Sequence, residues 1–348
     1  MKTSKSKTGI IIFMIIALSS IKSMAQDFHF SQYRETPMLL NPAQTALQKD
    51  IRVIVNYKDQ WKTVASPYKT YAVSGEFAIN RLKNDKRYLA VGFQILSDKA
   101  GDSKMGTTAG LFSLNSILKV ADYQRVSVGL VGGVGQRSVS TADLKWGSQY
   151  DGTSYVSALS SGEVINGANK SFYDLGGGIC WNYSHGEKYI SAQDGIKATV
   201  GVSAFHYSLP KYSFQNNSAE RLNTKIIAHG SVSFGMENTN TMIIPEFLYV
   251  RQGALQEINV GAIYKFIIKE ESKYTRFNKA SAFSIGTHYR VKDALIFTTL
   301  FEYTNYSVGF SYDVNLSKLT NASKSKGGLE ISLKFVTPNP FGASRSRI

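Results

Sequence analysis

The stretch YLAVGFQIL, Tyr88 to Leu96, alternates two kinds of side chain: Leu89, Val91, Phe93 and Ile95 on one side, Tyr88, Ala90, Gly92 and Gln94 on the other. Successive side chains of an extended chain point to opposite faces, so a period of two describes a strand with one apolar face and one small or polar face. The rhythm returns along the chain. Tyr71, Val73, Gly75, Phe77 and Ile79 oppose Ala72, Ser74, Glu76 and Ala78, while Val126, Val128, Leu130 and Val134 oppose Ser127, Gly129, Gly133 and Gly135. Ile258, Val260, Ala262, Tyr264 and Phe266 oppose Asn259, Gly261 and Lys265, and near the end Leu329, Ile331, Leu333 and Phe335 oppose Glu330, Ser332 and Lys334.

Fourteen such candidates fall near 51 to 57, 69 to 79, 87 to 97, 105 to 118, 123 to 136, 172 to 184, 196 to 208, 223 to 235, 241 to 250, 256 to 268, 281 to 290, 294 to 302, 304 to 313 and 327 to 336. Most reach the roughly 9 to 11 residues a tilted strand needs to cross a bilayer, and exceed the roughly 5 to 6 of soluble sheets. An even number of long, two-faced strands predicts an all-β fold, a transmembrane antiparallel β-barrel over 51 to 336, because lipid offers no partner to an open edge. A soluble sandwich or lipocalin-like barrel would also alternate. Tyr and Phe supply 20 and 19 residues, several at strand ends, as at Tyr57, Tyr68, Tyr88, Tyr183, Tyr207, Tyr289, Tyr303 and Tyr306. That placement suits the aromatic girdles of an outer-membrane barrel.

Connections are of two lengths. Short ones such as NDK at 84 to 86, VKD at 291 to 293 and ENTN at 237 to 240 are expected at the periplasmic side, and the Ser- and Gly-rich 137 to 171 at the cell surface. With the first strand rising from the periplasm, both termini end there. The tail after 336 holds Pro338 and Pro340, cannot extend a sheet, and is expected to trail into the periplasm.

Lys2, Lys5 and Lys7 precede an apolar run from Gly9 to Leu18, followed by small and polar residues to Ala25. The run is about half the length of a spanning helix, so 1 to 25 is expected to be a secretory signal peptide cleaved after Ala25 rather than a retained anchor. No cysteine stands at the end of the run, so a lipoprotein anchor is not expected. Removing four lysines lowers the formal charge from +15 to about +11. The basic residues are scattered, so nucleic acid is not expected as a partner, and anionic headgroups or an acidic partner fit better. Cys180 is the single cysteine, which excludes an internal disulfide and a cysteine-based metal site and leaves a packing role.

Between leader and first strand lies HFSQYRETPMLLNPAQTAL, beginning at His29. Asn41-Pro42 cannot continue a helix and Pro37 restrains Thr36, so 26 to 50 is expected to be an irregular periplasmic strap with fixed bends. Phe30, Tyr33, Leu39 and Leu40 would each cost about 1.5 to 3 kcal/mol if left in water, so the strap must dock. Its destination is the periplasmic mouth of the barrel, its lumen as a plug, or a partner protein. Tethering beside the first strand favours mouth or lumen. The candidate docking residues are His29, Phe30, Ser31, Gln32, Tyr33, Pro37, Leu40, Asn41 and Pro42.

No catalytic constellation stands out, and no cofactor or metal site is expected. His29, His185, His206, His229 and His288 are dispersed, none in a GxSxG or HExxH motif, and read as hydrogen-bonding wall residues. Glu270-Glu271 sits in a charged, solvated run. The glycines of 132 to 135 and 176 to 178 lack the context of a phosphate cradle and read as lumen positions that make room.

HFSQYRETPMLLNPAQTA resembles the amino-terminal signature of the PorP/SprF family of Bacteroidetes outer-membrane proteins. NYKDQW at 56 to 61, FYDLGGGICW at 172 to 181, IIPEFLYVRQGALQEINVGAIYKF at 243 to 266 and SYDVNLSKLTNASKSKGGLEISLKF at 311 to 335 resemble further family segments. The resemblance implies a non-enzymatic barrel of the type IX secretion and gliding system. Its partners would be secretion components and cargo carrying a carboxy-terminal sorting domain, such as surface adhesins, held in contact with outer-membrane lipid. The alternative is a porin or small-solute transporter, with Glu76, Lys265, Glu302, Glu330 and Lys334 setting selectivity.

Overall fold

The computed structural model describes residues 27–61, 66–79, 86–140, 144–162, 169–185, 195–214, 220–236, 239–269, 280–317 and 320–337. The leader at 1 to 25, the acidic pair Glu270-Glu271 and the tail from 338 lie outside them.

Fourteen strands follow the alternation: β1 (Ile51–Gln60), β2 (Tyr68–Ile79), β3 (Arg87–Ala100), β4 (Met105–Ala121), β5 (Gln124–Ser138), β6 (Asn169–Ser184), β7 (Ile196–Phe205), β8 (Lys225–Gly235), β9 (Thr241–Gln252), β10 (Leu255–Lys269), β11 (Ser281–Arg290), β12 (Ala294–Tyr303), β13 (Tyr306–Asn315) and β14 (Lys326–Thr337). Each pairs antiparallel with its sequence neighbours. β1 then closes the cylinder against β14, in register from Ile51 opposite Thr337 to Gln60 opposite Gly328. Closure gives every strand edge a partner, which is the condition for putting a sheet in hydrocarbon.

Each expected strand is present, with shifted ends. β7 stops at Phe205 rather than 208 because His206 turns with φ +62, β13 starts at Tyr306 rather than 304 because Thr304 turns with φ +54, and β14 runs to Thr337.

The two faces sort as the period requires. Leu89, Phe93, Ile95, Phe112, Leu130 and Val134 stand exposed on the outer wall, whereas their neighbours Ala90, Gln94, Ser113, Asn115 and Ser127 are buried inside. A contiguous apolar belt of this extent on a closed cylinder fits lipid and is incompatible with a water-soluble sandwich. Tyr57, Tyr68 and Tyr289 stand near one rim, and Tyr183, Tyr303 and Tyr306 near the other. Tyr88 departs from the expected girdle. It shares the inner face with Ala90 and Gln94, is 4% exposed, and donates its hydroxyl hydrogen to the carbonyl of Leu47 at 3.0 Å.

Strand parity fixes the two ends. The start of β1 and the finish of β14 share one rim, here the proximal rim, with the connections at 80–86, 122–123, 185–195, 236–240, 270–280 and 304–305. The distal rim carries the longest connections, 139–168 and 206–224. It also carries VKD at 291–293, which was expected with the short turns at the proximal rim. Three residues close an antiparallel pair at either end, so turn length alone does not assign a rim.

Candidate functional site

Residues 27–50 run down the inside of the barrel. Asp27 lies at the distal rim against His206, Lys225 and Gln252, and Asp50 at the proximal rim, where its carbonyl accepts from the N–H of Ala78 in β2. The first and last described residues, Asp27 and Thr337, therefore lie at opposite ends of the barrel. The strap has traversed the lumen. Its bends come from the predicted residues: a 3-10 turn Tyr33–Glu35, a short helix with Pro37 at its first position, Pro37–Leu40, and a second 3-10 turn, Pro42–Gln44. Asn41 caps that last turn by accepting from the N–H of Ala43 at 2.9 Å.

A buried irregular chain carries backbone groups that no helix or sheet satisfies, and each left unpaired would cost on the order of 1 to 3 kcal/mol. The polar inner wall answers them. Ser203 donates to the carbonyl of Leu40 at 2.6 Å, and Asn115 donates to those of Ala43 and Thr45 at 2.7 and 2.9 Å. Ser127 adds a bond to Ala43 at 2.8 Å. Glu76 accepts from the N–H of Ala46 at 2.7 Å, and Arg52, paired with Glu76 at 2.7 Å, donates to Gln44. Asn41, fully buried, donates to the carbonyls of Ile179 and Val202 and lies 3.2 Å from Nε2 of His229. The wall gives way where the strap presses closest. A Cβ at Gly129 would overlap the Pro42-Ala43 peptide, one at Gly178 or Gly201 would overlap the Asn41 side chain, and one at Gly92 would sit 2.8 Å from the sulfur of Met38.

The upper strap is held by charge. Glu330 of β14 accepts from the backbone N–H of Ser31 at 2.6 Å and of Gln32 at 2.9 Å and pairs with Lys58 at 3.0 Å, both side chains almost fully buried. Lys58 also donates to the carbonyl of His29 at 2.8 Å. Ser31 donates to Asp313, which Arg290 pairs at 3.1 Å. Tyr33 sets its ring edge-on to His288 and its hydroxyl 3.3 Å from Glu246, the carboxylate that also takes Arg34 at 2.7 Å. Phe30, Tyr33 and Leu40 join Leu96, Leu111, Ile227 and Leu248 in one apolar cluster.

At the distal rim Asp27, Asp174, His206 and Lys225 form a clamp. His206 Nδ1 lies 2.9 Å from Asp174 and Nε2 3.3 Å from Asp27, and Lys225 pairs Asp27 at 3.2 Å. Burial alone would push the imidazole down, but the bonds to Asp174 and Asp27 outweigh it and push it up to about 9. Burial likewise works against the Asp27 carboxylate, and Lys225 and His206 hold it far below its ordinary range.

The nine candidate residues thus lie inside the barrel: His29, Phe30, Ser31, Gln32 and Tyr33 in its distal half, Pro37, Leu40, Asn41 and Pro42 below them. Asp27, Arg34, Glu35, Thr45 and Leu47 belong with them and were not singled out, although alternation marks their wall partners as inward-facing. His206, His229 and His288 are hydrogen-bonding wall residues as expected. Glu76, Glu330 and Lys334 anchor the strap rather than face an open pore. Of the noted glycines, Gly133, Gly135, Gly176 and Gly178 point inward, whereas Gly132 and Gly177 share the outer face with exposed Leu130 and Leu175.

The filling is lopsided. The lower strap presses on β4, β5 and β6, and opposite it a cavity of about 250 Å³ opens at the proximal rim, lined by Arg34, Lys49, Arg52, Glu302 and Lys334. It continues into a second space of about 100 Å³ beneath Ser31 and His288. Tyr33 and Leu40 line both this vestibule and a cavity of about 50 Å³ near Asp27 at the distal side.

Comparison with solved structures finds similar barrels. CdiB from Acinetobacter baumannii aligns at TM-score 0.42 and 8% identity over 84% of this chain and 60% of that one. The TodX monoaromatic hydrocarbon channel deltaS2 mutant aligns at 0.43 and 8% over 86% and 92%, and Omp33 of Acinetobacter baumannii at 0.37 and 10% over 84% and 100%. No curated protein matches the sequence. Residues 22–335, nearly the whole chain, match the family described as type IX secretion system membrane protein PorP/SprF, and the chain belongs to that family of outer-membrane β-barrels.

Proposed function

We propose that this barrel is a non-enzymatic accessory of type IX secretion, supporting export and surface attachment of cargo with a carboxy-terminal sorting domain, such as the adhesins used in gliding. The observation that carries the reading, beside family membership, is the strap. A lumen crossed by twenty-four residues of its own chain, 27 to 50, is a poor conduit and a rigid platform. Function then falls to the rims, and the lumenal residues serve by holding the strap.

The proximal rim is taken to face the periplasm and the distal rim, with 139–168 and 206–224, the exterior. The support is the concentration of long connections at the distal rim. Asp27 then marks the outer end of the strap, one residue after the expected Gln26 start of the mature chain.

Deletion of the gene tests the reading: surface display of particular sorting-domain cargo is expected to fall while uptake of small nutrients stays normal. Normal display with impaired uptake would replace this reading with the solute-channel one, which the vestibule along β9 to β14 favours.

A further inference from the structure

The vestibule has an electrostatic bias that holding the strap does not use. At the proximal rim the inner-face positions of the wall carry Arg52, Lys119, Arg125, Lys197, Lys265 and Lys334. Lys119 shares its face with buried Ile117, Arg125 with Ser127, and Lys197 with Thr199, the last two hydrogen-bonded to the strap. The strap adds Lys49. Against them stand Glu35, Glu76, Glu302, Asp50 and, in the turn after β4, Asp122, of which Glu35 is held by Lys334, Glu76 by Arg52, Glu302 by Lys265 and Asp122 by Lys119.

Lys49 and Lys197 are exposed, and among the described residues no carboxylate lies within ion-pair distance of either. Although its side chain meets solvent, Lys49 sits within the barrel mouth, where partial desolvation by the surrounding wall, and then the charge of Lys197, push its ammonium below its ordinary range. Outward-facing cations at a barrel rim meet lipid phosphates, but these point into the lumen, where a headgroup does not reach. Arg34, with its side chain about half exposed, lines the cavity further up, where its charge is paired by Glu246 at 2.7 Å. A space of this size, lined on one side by the strap and on the other by the wall, takes an extended chain better than a folded domain.

We propose that the vestibule is a docking site for an acidic, extended segment of a partner protein, which enters at the proximal rim and pairs with Lys49 and Lys197. That the partner is a periplasmic part of the secretion machinery or a cargo in transit rests on the function proposed above; the site itself does not.

Binding is tested on the full mature chain in lipid nanodiscs, by fluorescence anisotropy of a labelled octapeptide alternating Glu and Ser, with a Lys-Ser octapeptide for comparison. The acidic peptide is expected to bind and the basic one not, with affinity falling steeply as salt is raised. The double variant Lys49→Glu, Lys197→Glu is expected to weaken binding at least about tenfold, and Lys292→Glu, on an exposed turn at the distal rim, less than about twofold. Heat-modifiable migration of each variant confirms a folded barrel. Equal binding of both peptides, equal weakening by Lys292→Glu, an unaffected double variant, or displacement by a few millimolar inorganic phosphate would each overturn the proposal. The gene-deletion assay judges the secretion reading separately, because the binding assay contains no secretion component.

Discussion

Glu330 holds the upper strap by accepting from two of its backbone N–H groups while pairing the Lys58 ammonium of β1, all out of water. Glu330→Ala leaves both N–H groups without their acceptor and the Lys58 ammonium without its counter-charge, with only the His29 carbonyl left to it, and the cost of breaking a buried pair from one side is about 3 to 5 kcal/mol. The expected result is a lowered urea midpoint in detergent. The same loss is not expected from Glu302→Ala, whose ion pair with Lys265 is partly exposed to the vestibule. His206 gives a pH signature. Its folded-state value is raised above the ordinary 6.5 to about 9, so its contribution is full below about 6.5 and is lost as pH rises through about 9. A bimane at Phe28→Cys, in a Cys180→Ser background, is expected to report the strap start loosening between pH 8 and 10 on that account. In a His206→Ala variant the bimane is expected to be loose already at pH 7, with no further step.

At the scale of elements, the strands were legible because one physical demand, apolar outside and polar inside, repeats at every second residue from 51 to 337. The strap was legible as a segment that had to be buried, from its prolines and its large apolar side chains. Its partners were not, because contacts such as Ser31 with Glu330 or Asn41 with His229 join residues far apart in sequence and depend on barrel closure. Two misreadings had their answer in parity. Tyr88 sits at a strand end but two residues from Ala90 on the inner face, and VKD follows an odd-numbered strand and so lies at the distal rim. Tyr33 is where element and function meet, since it lines both the distal cavity and the vestibule. Tyr33→Ala is expected to join them and raise planar-bilayer conductance above an almost silent wild type. Equal, near-zero currents from both would show that Leu40 and its neighbours seal the lumen without it. The glycine notch makes a complementary prediction: Gly129→Leu pushes into the Pro42-Ala43 peptide and is expected to lower stability by at least about 1 to 3 kcal/mol, read from the unfolding midpoint.

On the scale of the molecule, a closed fourteen-strand cylinder with an apolar outer belt settles where the chain resides, and family membership settles which system it serves. The polar lumen, which in a porin would set ion selectivity, is here the solvent for a buried piece of backbone. That inversion is the central physical claim: the inner wall is polar because the strap is irregular. It follows that strap and barrel fold as one unit, with Asp27 and Thr337 at opposite rims. The most direct measurement uses Thr45 of the strap and Ser113 of β4, whose hydroxyl oxygens lie 2.7 Å apart inside the barrel. In a Thr45→Cys, Ser113→Cys chain lacking Cys180, the two thiols are placed to form a disulfide within the outer membrane of living cells. The account predicts that the bridge forms and that neither cysteine takes up a membrane-permeant maleimide until reductant is added; free labelling of both in a folded, heat-modifiable barrel would put the strap outside the lumen and contradict it.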